Sequence, residues 1–131
     1  MRLNKNKYRD RRVSQAVASG FKRTGVVPTK KQVDALKVKL TALWELKQGT
    51  ECPMLCGVRI QPRNCAFCHN KALANSGKHT ALNIYLSCSR CNRAQHTLSK
   101  KEYLTLRKAV IDCLGEDRWK KIRAWLAGSR Y

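Results

Sequence analysis

The sequence predicts an α+β fold, mostly helical, with flanking helices on both sides of a small metal-centred ββα core. Three observations predict it. Two cysteine pairs, Cys65-Ala-Phe-Cys68 and Cys88-Ser-Arg-Cys91, stand 19 residues apart. Between them, Leu82, Ile84 and Leu86 alternate with Ala81, Asn83 and Tyr85, the period of two that belongs to a hairpin strand. On either side, apolar residues recur at helical spacing behind paired capping residues.

The cysteines come first. Each C-x2-C pair supplies two thiolates from one turn, and a hairpin between the pairs brings the hooks together as a tetrahedral Zn2+ requires. Cys65, Cys68, Cys88 and Cys91 are the expected ligands of a structural zinc ion. A disulfide within C-x2-C is strained, and a reducing compartment disfavours it further. The second hook falls at a helix start, so the core is a zinc-bound treble clef in which helix amides polarise Cys88 and Cys91. Cys52-Pro-Met-Leu-Cys56 precedes it with a looser spacing, and two thiols alone complete no site. Three readings of this pair stay open: a second zinc shared with His69, His79 or His96; replacement of one of the four ligands by Cys52 or Cys56; or two reduced thiols packed beside the core.

Charge narrows the partner. The chain of 131 residues has 28 Lys or Arg against 8 Asp or Glu, a net charge of +20. That surplus calls for a polyanion, and nucleic acid, DNA or RNA, is the first candidate. An anionic membrane surface ranks below it, and no apolar run is long enough to span a bilayer. Residues 1–7 show no apolar signal-peptide stretch, which places the protein in the cytoplasm, where cysteines serve metals before disulfides.

Residues 1–28 are expected to form a basic arm with a short helix over about 8–22; Arg9, Arg11 and Arg12 would lie along a phosphate backbone. Residues 29–131 then form a single domain. Thr29 with Gln32 makes a capping box for a helix over 29–48, whose stripe of Val33, Leu36, Leu40, Leu43 and Trp44 is a core face. The zinc core follows over 52–99, where Arg59, Arg63, Arg90 and Arg93 add phosphate contacts. Ser99 with Glu102 caps a helix over 100–114 that begins with Lys100 and Lys101, two further candidates for binding. Its expected buried face is Tyr103, Leu106, Val110, Ile111 and Leu114, with Cys113 as a core thiol. A last helix over 116–127 places Trp119, Ile122, Trp125 and Leu126 on one side, with core packing expected for both tryptophans.

The run Ser76-Gly-Lys-His-Thr-Ala-Leu-Asn-Ile-Tyr-Leu-Ser-Cys-Ser-Arg-Cys-Asn-Arg-Ala-Gln-His-Thr-Leu-Ser-Lys-Lys-Glu-Tyr103 resembles the second half of the zinc-containing HNH endonucleases, a family well represented among small phage proteins. The likeness covers about a third of the chain, Cys65 to Tyr103. It implies that Asn83 is the asparagine in the middle of the motif, and that Asn92 stands where many members bind a catalytic divalent metal. The first half is degenerate. The family carries a histidine general base beside a metal-binding residue such as Asp on its first hairpin strand, and here no Asp-His pair occurs. His69 falls in the first hook, and His79 follows Lys78. Residues 52–101 contain eight Lys or Arg and no Asp or Glu, whereas a Mg2+ site takes hard oxygen ligands.

The reading that follows is a non-catalytic, nucleic-acid-binding zinc protein on a degenerate HNH scaffold, regulatory and phage-type in character. Two alternatives remain. One is an HNH endonuclease using Mg2+, with His79 as general base and Asn83 and Asn92 in the site. The other is an adaptor that grips host polymerase or ribosome.

Overall fold

Asn4 opens the first helix by accepting hydrogen bonds from the amides of Asn6 and Lys7, and α1 (Lys5–Thr24) runs to Gly25, which turns out in the left-handed region at φ 71°. The computed structural model describes residues 4–128, so the first three residues of the expected arm and the last three of the chain lie outside the described residues. α1 does not stand apart as an arm. Val13 and Val17 are buried with Leu36 and Leu40 of α2 (Lys30–Lys47) and with Ile84 in one apolar cluster. Of the three arginines expected to lie along phosphate, two are turned to internal work: Arg12 donates to the Cys65 carbonyl at 3.1 Å, and Arg9 pairs with Asp10 and with Glu45 of α2. The stripe Val13, Val17, Gly20 found a partner surface that helical periodicity alone does not reveal.

α2 begins as its sequence dictates. Thr29 accepts from the Gln32 amide while the Gln32 side chain accepts from the Thr29 amide, and Leu36, Leu40 and Trp44 are buried. The chain then enters a tight loop. Gly49 donates to the Ile60 carbonyl, Ile60 to Thr50, and Cys52 to Val58, each at 2.8 Å, while Leu55 and Gly57 adopt φ of 64° and 82°. Residues 52–58 therefore form a knuckle.

The hairpin comes next. β1 (Cys65–His69) pairs antiparallel with β2 (Ile84–Cys88), with Cys65 opposite Cys88 and Cys68 opposite Tyr85. The strand expected from Thr80 starts only at Ile84; Ala81–Asn83 is a 3-10 turn that leaves Leu82 exposed. Every residue of β2 is buried, because elements pack on both faces of this small sheet and erase the inside–outside alternation. α3 (Ser89–Gln95) follows directly.

The last two helices form a hairpin against α3. α4 (Lys100–Leu114) carries the expected Ser99–Glu102 capping box, and Gly115 joins it to α5 (Glu116–Gly128). Tyr103 and Trp119 pack edge to face with ring centroids 5.5 Å apart, in the second apolar cluster with Trp44, Met54, Ile60 and Leu86. Here the expected burial fails at several places. Leu106, Leu114 and Cys113 are exposed, and Trp125 is 69 % exposed. α4 leans on the body through Tyr103 and on α5, and no third layer among the described residues covers their outer turns. Among the described residues, no helix is long and apolar enough to cross a membrane.

α1 approaches the hairpin closely at Gly20. A Cβ added at Gly20 would sit 1.9 Å from the His79 ring. Alanine is the better helix former by about 1 kcal/mol, yet overpacking of this kind costs about 1–3 kcal/mol. Gly20→Ala is therefore expected to lower stability despite its higher propensity, read as a lower Tm in thermal melts followed by circular dichroism.

Candidate functional site

The knuckle and the start of α3 bring four sulfurs together. The Sγ atoms of Cys52, Cys56, Cys88 and Cys91 all lie within 4.8 Å of one another, and Cys56 and Cys88 are 3.6 Å apart. A tetrahedral ion with Zn–S bonds of about 2.3 Å places its sulfurs about 3.8 Å apart. The donor set fits: four thiolates, three of them buried, are soft ligands that select Zn2+ over hard cations. The surroundings fit as well, since N–H groups point at the sulfurs. The Cys91 amide donates to Cys88 Sγ and the Cys88 amide to Cys52 Sγ, both at 3.4 Å; Arg123 donates to Cys91 Sγ at 3.4 Å and to Cys88 Sγ at 3.8 Å. Hydrogen bonds from Cys52 first, then Cys91, push the Cys88 thiol down, while hydrogen bonds to Cys88 and Cys91 push Cys52 up. The metal-free cluster thus shares its protons, and a bound cation would be needed to draw all four thiols into the thiolate form.

The expected set of Cys65, Cys68, Cys88 and Cys91 is thus corrected in its first half. Cys65 and Cys68 lie in an extended strand, where residues three apart point to opposite faces, so they cannot chelate one ion together. Cys65 sits near Gln48 and the Pro62 carbonyl, and Cys68 lies 2.9 Å from Ser87 Oγ. Burial pushes both thiols up, that of Cys68 to about 12, so they are neutral core thiols. Cys52 and Cys56 take their place because their loop turns where β1 does not. Only the Cys65–Cys68 pair is replaced: one centre takes up Cys52, Cys56, Cys88 and Cys91, and Cys113 lies apart on the surface.

A pocket of about 160 Å³ lies between α1, the hairpin and α3. Arg23, His69, His79, Asn92, Gln95 and His96 are among the residues that line it, and no carboxylate is. His79 is no free base. It is buried, its Nε2 lies 3.0 Å from the Val17 carbonyl, and its Nδ1 lies 3.0 Å from His69 Nε2. The carbonyl can only accept, so His79 carries its proton on Nε2 and accepts at Nδ1 from His69. His69, expected within a knuckle, instead ends β1, and desolvation, then His79 and Arg23, lowers its pKa to about 4. His79 is lowered as well, chiefly by burial.

The two candidate asparagines divide. Asn83 donates to the carbonyls of Lys71 and Lys78 and accepts from the Lys71 amide, at 2.8–2.9 Å, and so clamps the loop between the strands. Asn92 faces the pocket from α3. His96 lies 2.9 Å from the Leu126 carbonyl and ties α3 to α5. Two residues that the patterns did not single out also matter. Arg123, half-buried, falls between the buried Trp119 and Ala127, a four-residue spacing that could have marked it. Gln95 is buried, accepts from the Tyr85 hydroxyl and donates to the carbonyls of His69 and Leu98, which no local pattern announces.

Of the expected phosphate contacts, Arg11, Arg59, Arg63, Arg90, Arg93 and Lys101 are exposed. Arg9 and Arg12 are committed internally, Arg59 also donates to the Gly49 carbonyl, and Lys100 lies 5.0 Å over the Tyr85 ring. No protein-family model, curated protein or solved structure matches the chain. Fold and site alone define the class: a mostly helical α+β protein with a four-cysteine centre able to hold one metal ion.

Two outcomes are expected. Zinc quantification should give one equivalent, lost in Cys52→Ser, Cys56→Ser, Cys88→Ser or Cys91→Ser and retained in Cys65→Ser and Cys68→Ser. Because the folded pKa of His69 lies below its ordinary value, the unfolded chain binds more protons between pH 6.5 and about 4, and stability falls as pH drops through that window. His69→Gln should flatten the decline of Tm with pH; acid loss of zinc is common to both proteins and cancels in the comparison.

Proposed function

We propose that the protein binds nucleic acid non-catalytically, on an HNH-like ββα scaffold held by one structural Zn2+. The observation that carries this reading is uncompensated charge. Among the described residues only Arg9 and Lys108 are paired with acids, although the chain carries 28 basic side chains. Arg63, Arg90, Arg93 and Lys101, on or beside the ββα unit, are exposed. Such a surface repels itself until a polyanion neutralises it. Hydrolysis of a phosphodiester through Mg2+ needs oxygen ligands, and the residues lining the histidine pocket offer amides, imidazoles and a guanidinium but no carboxylate.

One observation favours a second reading, cleavage. β1 carries Cys68-His69 on the first hairpin strand, where the resemblance expects a metal ligand beside the general base, and Asn92 shares the pocket with His69. In that reading His69 replaces His79 as the base. Cys68 is a poor substitute for a carboxylate, because its thiol is neutral at physiological pH and soft when ionised.

The test separates the two. Binding of DNA and RNA oligonucleotides, followed by fluorescence anisotropy, should weaken about a thousandfold between 50 and 200 mM salt if about six phosphates are contacted. Plasmid and RNA incubated with Mg2+ or Mn2+ should stay intact. A salt response that is flat would sink the nucleic-acid reading, whereas metal-dependent cleavage that disappears in His69→Ala would establish the second.

A further inference from the structure

α5 has two faces of opposite character. Trp119, Arg123 and Ala127 turn inward to Tyr103 and the four sulfurs. Trp125 turns outward and is 69 % exposed, in contrast to Trp44 at 3 % and Trp119 at 5 %. Residues four and seven before it on a helix lie on the same face. These are Lys121 and Arg118, both exposed, about 6 and 10 Å below the indole along the axis at a rise of 1.5 Å per residue. The acids of α5, Glu116 and Asp117, are confined to its first turn, away from the indole.

An indole left in water loses the burial that a tryptophan ordinarily gains, and two cations beneath it make an apolar protein partner costly, since their charges would be desolvated without acids to meet them. A flat aromatic face above a file of cations suits a nucleotide strand: a base stacks on the ring while the phosphates follow the charges. In a duplex the bases are stacked on each other, and their faces are not offered. We propose that the outer face of α5, Trp125 with Lys121 and Arg118, is a stacking platform for unpaired bases, so that the partner is single-stranded nucleic acid or a single-stranded segment within a larger target. This rests on the reading of the protein as a nucleic-acid binder and deepens it.

The experiment uses the full zinc-loaded chain with dT15, U15 and a 15-base-pair duplex at one fixed salt concentration. Tryptophan emission of the wild type should be quenched by dT15 or U15, and the quenching should vanish in Trp125→Phe, which retains an aromatic ring and most of the affinity. Trp125→Ala should bind the single strands about five- to a hundredfold more weakly, the range expected for one lost stack, while its affinity for the duplex stays within about twofold. Lys121→Ala and Arg118→Ala together should weaken binding and reduce its salt dependence. If Trp125→Ala binds dT15 and U15 as the wild type does, the platform is refuted while the nucleic-acid reading stands; if the wild type binds none of the three, both fall. A shift of Trp125 emission on anionic phosphatidylglycerol vesicles, without quenching by either oligonucleotide, would assign the face to a lipid surface and likewise overturn the proposal.

Discussion

The rest of the structure hangs on the meeting of four sulfurs. Cys52 and Cys56 come from the loop that follows α2, and Cys88 and Cys91 from the junction of β2 and α3. One ion held there would join segments more than thirty residues apart in sequence. The apolar material around it is limited: the cluster includes Trp44, Met54, Ile60, Leu86, Tyr103 and Trp119, contributed by loops and by one face of each of several helices. A chain of this size buries a modest core, and metal-binding free energy becomes folding free energy where ligands from separate segments converge. Arg123 adds the converse constraint. Its guanidinium, brought among the sulfurs by α5, needs negative charge beside it, and thiolates bound to a metal supply that charge without a carboxylate.

The histidine pocket depends on the same frame. β1 and α3 provide two of its walls, and α1 closes the third by setting Gly20 against His79 and offering the Val17 carbonyl to its ring. The resulting chain of carbonyl, His79 and His69 fixes both tautomers and keeps both imidazoles neutral near pH 7. Burial is the main reason both groups resist protonation; for His69, the charge of a protonated His79 and that of Arg23 add to it. The helix that sequence reading assigns to an external arm is therefore part of the pocket wall. Its exposed cations, Arg11 and Lys22 among them, remain on the outer side.

Electrostatics sets the cost of this design. A charge of +20 with few ion pairs among the described residues opposes compaction, and the two apolar clusters, with any ion that the four cysteines hold, must outweigh it. The proposed polyanionic partner would remove that repulsion, so binding and stability would rise together, as linkage requires when a ligand prefers the folded state. The outward Trp125 fits the same economy of surface: among the described residues the α4–α5 hairpin has no third layer, and what it exposes is available for contact.

The local elements were legible in the sequence. Capping boxes at Thr29–Gln32 and Ser99–Glu102, the stripe Leu36–Leu40–Trp44 and the glycine that separates α4 from α5 are short-range signals, fixed by backbone hydrogen bonding and helical period. Half of the metal centre was legible too, because Cys88 and Cys91 lie at a helix start, where a C-x2-C turn can form. Its other half was decided by tertiary structure. The spacing of Cys65 and Cys68 is that of a hook, but pairing with β2 stretches it into a strand and turns the two thiols apart, while positive φ at Leu55 and Gly57 curls the looser Cys52–Cys56 pair into the knuckle. Burial followed the same rule. Which side of α1, α4 or α5 meets a partner depends on where the other helices lie, and no periodicity within a single helix carries that information.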